Sequence, residues 1–328
     1  MKIAILDDYQ DCVRQLDCFQ LLKEHEVKIF TNSARGVGQL AIRLADFDAL
    51  VLIHERTGLS RALLNRLPKL KLIVQTGKAG SHIDIAAATA RGILIVEGSG
   101  DPTAPAELTW ALIMAASRKI PQYVSHLRDG QWQTAANNSA LNTLGRTLKG
   151  RILGVWGYGR VGRLVAGYGE AFGMEVQIWG GERSCDTALQ DGRRIARSRE
   201  ALFKQADVLS LHLRLTDATR AIVTDIDLAH MKTDALLVNT SRAELLAPGV
   251  LETALHRGRP GFAALDVFET EPLPATTPLL RIPTVLATPH LGYVEKDSYE
   301  RYFRIAFQNI LAFAQGTPKN VVNPEVLG

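Results

Sequence analysis

Cysteine is scarce in this chain: 328 residues contain three, Cys12, Cys18 and Cys185. An odd, sparse set with no C-x-x-C spacing excludes a disulfide framework and a thiolate zinc site, so the expectation is reduced thiols in a cytoplasmic protein with no bound metal. Long apolar runs are also missing. None approaches the roughly 20 residues a membrane-spanning helix needs, so no membrane association is expected. The opening "MKIAILDDYQ" carries an apolar run only from Ile3 to Leu6 before Asp7 and Asp8. That is a buried strand, too short for the apolar region of a signal peptide. An excess of one charge is lacking too. Lys and Arg number 38 against 34 Asp and Glu, a formal net charge of +4, and no basic tract concentrates them. A solvated surface is the reading, and nucleic acid is not an expected partner. There is no short-period repeat and no low-complexity tract.

What is present is an alternation of short aliphatic runs and helical patterns. The first third carries "KIAIL", "EVKIF", "ALVLI", "LIV" and "ILIV", with "LSRALLNRL" and "IDIAAATARG" between them. Continuous apolar strands interleaved with amphipathic helices read as a parallel sheet covered on both faces. Gly and Pro crowd residues 98–108, which read as a linker. A mostly apolar helix is expected over 106–120, buried between layers. The polar, irregular stretch 129–150 is unusual inside a compact domain and reads as an arm that packs on another subunit. From Arg151 the alternation restarts with six runs: "RILGVW", "EVQIW", "DVLSL", "ALLVN", "FAALD" and "TVLAT". Six strands match a dinucleotide-binding sheet. The last helix, with Asp297 or Ser298 as its expected N-cap and Gly316 at its stop, follows that sheet. It is expected to return to the first domain. The boundaries read as 1–102 and 292–328 for a discontinuous substrate domain, with 103–291 as an inserted cofactor domain.

The central motif is "GYGRVG": Gly157, Tyr158, Gly159, Arg160, Val161 and Gly162. It follows an apolar strand and opens a helix. In such a G-x-G-x-x-G turn the first glycine permits the tight bend. The second lets backbone approach a pyrophosphate, and the third allows close helix–strand packing. The phosphate then meets the N–H groups of the helix start. The next strand closes on Gly180 and Gly181, followed by Glu182 and Arg183. Either Glu182 takes the ribose hydroxyls of NAD or Arg183 neutralises the 2′-phosphate of NADP; with no acid at the strand end itself, the reading leans to NADP.

Three later strands end in reactive groups: Arg242 in "VNTSRAELL", Asp266 and Glu271 in "ALDVFETEP", and His290 in "TPHLG". In an open α/β sheet the site lies beyond the carboxyl ends of the strands. Reduction of a 2-keto acid leaves a developing alkoxide that needs a proton, and histidine titrates near neutrality. A carboxylate on the other ring nitrogen fixes the imidazole and favours its protonated form. An arginine fork can bind and polarise the substrate's carboxylate or keto oxygen.

These segments, in order, with "LHLRLTDATR" and the more divergent "GKAGSHIDIAAATARGI", resemble the D-isomer-specific 2-hydroxyacid dehydrogenase family over essentially the whole chain. The resemblance implies an α/β protein whose Rossmann dinucleotide-binding domain is inserted in a discontinuous flavodoxin-like substrate domain. It implies NAD(P)-dependent hydride transfer between a D-2-hydroxy acid and its 2-keto acid, and a homodimer formed through the cofactor domain with the 129–150 arm. By the same resemblance Arg242 orients substrate, and Glu271 and His290 form the acid/base pair. Asp266 contacts the nicotinamide amide, Thr240 and Ser241 lie beside the cofactor, and His212 lies near its adenosine half. The chain departs from the family pattern where Ala243 and Glu244 follow the arginine and where Arg214 replaces a proline. The substrate loop reads Lys78, Ala79, Gly80, Ser81, and Lys78 and Arg56 are candidates for an acidic substrate. The alternative reading is a non-catalytic NAD(P)-sensing interaction protein on the same fold.

Overall fold

The computed structural model describes residues 1–34, 36–133 and 144–328. Two compact units emerge, one of Met1–Asp101 with Glu295–Gly328 and the other of Pro102–Val294. The first begins with β1 (Lys2–Ile5), β2 (Glu26–Ile29), α1 (Val37–Leu44), β3 (Ala49–Leu52), α2 (Arg61–Leu64), β4 (Leu72–Gln75), α3 (Ile85–Ala90) and β5 (Leu94–Glu97). All its strand pairs are parallel, in the order β2-β1-β3-β4-β5. That is the order of a flavodoxin-type sheet. Every residue of β3 and β4 is buried, as their unbroken aliphatic sequences require. Each fully buried Val, Leu or Ile contributes about 1.5–3 kcal/mol over an exposed one. The edge strand β2 instead alternates exposed and half-buried residues.

The second unit holds α4 (Thr103–Arg118), α5 (Ile120–Arg128), β6 (Ile152–Trp156), α6 (Arg160–Ala171), β7 (Glu175–Trp179), α7 (Glu182–Gln190), β8 (Arg194–Ile195), α8 (Arg199–Gln205), β9 (Val208–Leu211), α9 (Asp225–His230), β10 (Leu236–Asn239), α10 (Val250–His256), β11 (Phe262–Leu265) and β12 (Val285–Ala287). Its parallel sheet runs β12-β11-β10-β9-β6-β7-β8. Counted from β6, this is the Rossmann order with one strand added beyond β11. The chain reverses direction of travel across the sheet between β6 and β9, so the turn after β6 opens at the switch point where dinucleotides bind. The strand that periodicity misses is β8, a two-residue edge piece in a run of arginines.

Two expectations about the start of this unit need correction. The linker is shorter than 98–108, because α4 already starts at Thr103. Pro105 sits in the first turn, where no backbone donor is required of it. Nor is α4 fully buried: only Ala106, Thr109, Leu112 and Ile113 are, and the helix ends where Lys119 turns left-handed. The arm expectation falls on residues 129–150, and its central part, 134–143, lies outside the described residues.

The final helix, α11 (Lys296–Ala314), belongs to the first unit. Its N-cap is Glu295, not Asp297 or Ser298: the Glu295 carboxylate accepts from the N–H groups of Asp297 and Ser298 at 2.8 and 2.5 Å. An acid one residue ahead of the apolar pattern reaches two of the unpaired donors at once. At the other end Gly316, with φ +74°, lets Thr317 N–H reach back to Ala312 O at 2.9 Å. The helix buries Tyr299, Tyr302, Phe303, Phe307 and Ile310, and Phe307 meets the ring of Phe19 edge-on.

Candidate active site

The glycine turn after β6 shows why each glycine stands where it does. Gly157 has φ +101°, and a Cβ there would lie 2.6 Å from the carbonyl oxygen of His212. A Cβ on Gly162 would lie 2.1 Å from Gly157 O. Both positions are closed by backbone, so no side chain fits. Gly159 differs: a Cβ there meets nothing within 4 Å, and the residue is exposed. Open space over Gly159, at the start of the 12-residue α6, is the cradle a pyrophosphate needs, with the helix N–H groups beneath it. The residues present therefore fit a dinucleotide. Arg160 is exposed in the first turn, while Val161 is half-buried and packs against the core.

The Tyr158 side chain lies in the core. Read from sequence as a cofactor-binding residue, it is only 4% exposed and belongs to the core cluster containing Leu153, Val165 and Ile178. Its hydroxyl donates to Asp191 Oδ2 at 2.9 Å and accepts from Arg193 Nε at 3.0 Å. Its ring is large and apolar enough to be drawn into the core once its one polar atom finds partners there.

Beside the cradle, His212 N–H donates to Trp156 O at 2.8 Å and its Nε2 meets Ser210 Oγ at 2.8 Å. Burial lowers the imidazole pKa to about 4, so the ring is neutral at pH 7. Its backbone forms the floor under Gly157. At the end of β7, Gly180 and Gly181 lead into α7, with Glu182 and Arg183 exposed in its first turn. Arg214 lies just beyond β9 and is exposed.

The carboxyl ends of β10, β11 and β12 carry the reactive groups. Asn239, 1% exposed at the end of β10, shapes the turn that follows. Its Oδ1 accepts from Ser241 N–H at 3.1 Å and its Nδ2 donates to Arg242 O at 2.8 Å. Ser241 Oγ donates to Leu211 O, and Thr240 Oγ1 shares a hydrogen bond with Thr109 Oγ1, each at 2.7 Å. The Arg242 guanidinium donates to Ser241 O at 2.7 Å and is half-buried.

Asp266 follows β11 and is fully buried. Its Oδ1 accepts from Thr288 Oγ1 and Leu291 N–H, both at 2.7 Å, and its Oδ2 from Gly292 N–H at 2.8 Å. The donors lie on both sides of His290. They hold that residue in the left-handed region, φ +53°, which non-glycine residues rarely adopt. Desolvation pushes the Asp266 carboxyl pKa up, against these hydrogen bonds. His290 Nδ1 lies 2.6 Å from Glu271 Oε2, and Glu271 Oε1 accepts from Phe268 N–H at 2.9 Å. With Nδ1 committed to the carboxylate, Nε2 is the ring nitrogen left for a reactant. Tyr293 meets the imidazole edge-on, centroids 5.4 Å apart.

The residues matched by the family model for the D-isomer specific 2-hydroxyacid dehydrogenase NAD binding domain run from 110 to 292, spanning this whole constellation. The chain belongs to that family. As a 2-hydroxyacid dehydrogenase it is 38% identical to the glyoxylate reductase of Aeropyrum pernix, over 81% of this chain and 80% of that one. A solved structure from Ralstonia solanacearum, provisionally named a D-3-phosphoglycerate dehydrogenase, is 57% identical with a TM-score of 0.97, covering 100% of this chain and 98% of its own. A phosphoglycerate oxidoreductase from Vibrio cholerae is 52% identical with a TM-score of 0.93, covering 96% and 99%.

The remaining candidates lie in the dehydrogenase's other unit. Arg56, beyond β3, donates to Asp7 O at 2.6 Å and to the Tyr299 hydroxyl at 3.3 Å, with its guanidinium over the ring of Tyr9. Lys78 pairs with Glu97, whose other oxygen accepts from Ala79 N–H at 3.0 Å. Gly80 follows in the same loop. Lys78 thus carries a charge matched by an acid 19 residues away, a partner that nothing in the local sequence marked. Asn239, Asp191 and Arg193 were missed altogether. A polar residue closing an apolar strand before "TSR" was a legible signal for Asn239. Nothing local marked Asp191, 33 residues from the tyrosine it holds. Among the described residues no cluster of His, Cys, Asp or Glu is placed to hold a metal, and no helix is long and apolar enough to cross a membrane.

Proposed function

We propose that this dehydrogenase transfers hydride between a D-2-hydroxy acid and its 2-keto acid, with His290 and Glu271 as its acid/base pair and Arg242 orienting the substrate. The observation that carries the assignment is the 2.6 Å contact of His290 and Glu271 at the carboxyl edge of the sheet whose switch point bears the glycine cradle. When bound, a nicotinamide dinucleotide supplies or takes the hydride. The protein's own groups do the rest. Glu271 holds the imidazole by Nδ1 and fixes its orientation. Nε2 gives a proton to the carbonyl oxygen in reduction, or takes one from the hydroxyl in oxidation. The Arg242 fork engages the substrate's carboxylate and polarises the keto oxygen.

Gly157, Gly159, Arg160 and Gly162 would hold the pyrophosphate. Thr240, Ser241 and Asp266 would border the nicotinamide end, and Arg183 and His212 the adenosine end. Glycines rather than an acid close β7, and Arg183 is exposed in the next turn. Both favour acceptance of the 2′-phosphorylated dinucleotide, NADP, alongside NAD. Arg56, Lys78, Ala79 and Gly80 are assigned to the substrate-binding side, with residues 1–102 and 292–328 as the substrate domain and 103–291 as the cofactor domain. A homodimer is supported by α5, which buries none of its residues and exposes Ile120, Val124 and Leu127 at helical spacing, with Trp132 exposed just beyond. Three free thiols, two of them held protonated by burial, suit a reducing, cytoplasmic setting.

The test is oxidation of NADH or NADPH by the purified protein with a panel of 2-keto acids, followed by absorbance. Turnover is expected and should vanish in His290→Ala and Arg242→Ala with the fold intact. Normal rates in His290→Ala would end the mechanism.

A further inference from the structure

We propose that Tyr158, with Asp191 and Arg193, is a positioning device that orders the glycine turn before a dinucleotide arrives. The inference rests on the reading that the turn binds the pyrophosphate of that dinucleotide.

A turn built to admit a phosphate has an inherent weakness. Gly157 and Gly159 must lack side chains, and glycine loses more conformational freedom on ordering than any other residue. A loop left loose would have to be ordered at the expense of binding. Tyr158 is the side chain between these two glycines. Fixing it fixes the peptide units on either side. The ring is anchored in the core and 4% exposed, and the hydroxyl is held from two directions, donating to Asp191 and accepting from Arg193.

The anchors are themselves held. Arg163, one turn into α6, reaches both oxygens of Asp191, at 3.2 and 3.0 Å. Arg193 pairs with Glu170, near the end of α6. Asp191 is the C-cap of α7, and Gly192, with φ +73°, lets Arg193 N–H return to Ala188 O at 2.8 Å. The network therefore ties three pieces together: the turn, both ends of α6, and the far end of α7. The near end of α7 begins with Glu182 and Arg183, the segment assigned to the adenosine ribose. A hydroxyl with both its donor and its acceptor role in use is a geometric constraint that a phenylalanine, filling the same core space, would not supply.

The experiment compares wild type, Tyr158→Phe, Asp191→Asn and the double variant. Binding of NADH, NADPH and ADP-ribose is measured by calorimetry, alongside the KM values for dinucleotide and 2-keto acid, kcat at saturating dinucleotide, and Tm. Tyr158→Phe is expected to weaken the dinucleotides and ADP-ribose alike by about tenfold, the scale of a lost charge-assisted hydrogen bond. The KM for dinucleotide should rise in step, with kcat and the KM for 2-keto acid within about twofold of wild type. Asp191→Asn should act in the same direction, and the double variant should lose no more than the weaker single, because both break one network. Unchanged dinucleotide affinity in Tyr158→Phe, with or without a lower Tm, would overturn the inference and leave only a core staple. So would a loss that appears in kcat or in the keto-acid KM instead. Should Asp191→Asn fail to fold, Tyr158→Phe, which removes one oxygen atom, still decides. A wild-type protein that binds neither dinucleotide nor ADP-ribose would strike at the proposed function itself, an outcome distinct from equal binding by wild type and variant.

Discussion

Replacing Asp266 by asparagine should separate the shape of the catalytic loop from the chemistry of its histidine. Asp266 is fully buried and its carboxylate accepts from Thr288, Leu291 and Gly292, the last two being backbone N–H groups directly after His290. An asparagine keeps one acceptor, which can stay where Oδ1 now serves Thr288 and Leu291. Its NH₂ then faces Gly292 N–H, a donor against a donor. One charge-assisted bond is lost and a buried N–H is left unpaired, about 1–3 kcal/mol. The neutral amide is easier to bury than the carboxylate, whose pKa burial has already raised, so the net cost is about 2 kcal/mol. For a unit of this size that lowers Tm by about 4–8 °C. The left-handed turn at His290 relaxes as its clamp weakens, and misplacement of a reacting group by about 1 Å can cost about 10²-fold in rate. Thermal denaturation without cofactor, together with kcat at saturating substrates, checks both halves. An Asp266→Asn protein with wild-type Tm and wild-type kcat would refute the argument that this carboxylate holds the histidine loop.

Glu271→Gln keeps a hydrogen-bond acceptor for His290 Nδ1 but removes the charge, so kcat should fall about ten- to a hundredfold with KM little changed; steady-state kinetics reads this directly. Gly162→Ala should lower Tm and dinucleotide affinity together, because its Cβ would press on Gly157 O. Gly159→Ala, with open space around its Cβ, should keep Tm and lose affinity alone; calorimetry and melting curves distinguish the two. His212 has its folded pKa lowered to about 4, below the usual 6.5. Between these values the unfolded chain binds the proton more readily, so stability should be fully present above pH 6.5 and be lost as pH falls toward 4, by up to about 3 kcal/mol. Melting curves from pH 7 to 4.5 should show this loss in wild type and a smaller one in His212→Gln.

Most of the architecture was legible because a buried parallel sheet leaves a strong trace: unbroken aliphatic runs at regular spacing, each followed by a helical pattern. The glycine turn was legible for a related reason. Its spacing is set by backbone geometry, and no other residue fits at 157 or 162. The positions of Arg242, Asp266 and His290 beyond the ends of β10, β11 and β12 were legible too, because a parallel sheet puts its strand ends along one edge. The short edge strand β8 was not legible, since two residues carry no periodicity, and neither was the cap of α11, because Glu295 precedes the apolar pattern that marks the helix.

What the amino-acid order determined by itself was the kind of protein: which segments are strands, where backbone must come close to backbone, and which side chains stand at strand ends. What tertiary structure alone decided was the direction in which several of those side chains act. Tyr158 sits inside a phosphate-binding motif yet points its hydroxyl into the core, toward an aspartate far along the chain. Asp266 turns its carboxylate to the backbone around His290, and Lys78 meets Glu97. Local sequence sets backbone conformation through sterics and periodicity, whereas the partner of a polar side chain depends on which distant segment the fold brings within hydrogen-bonding reach.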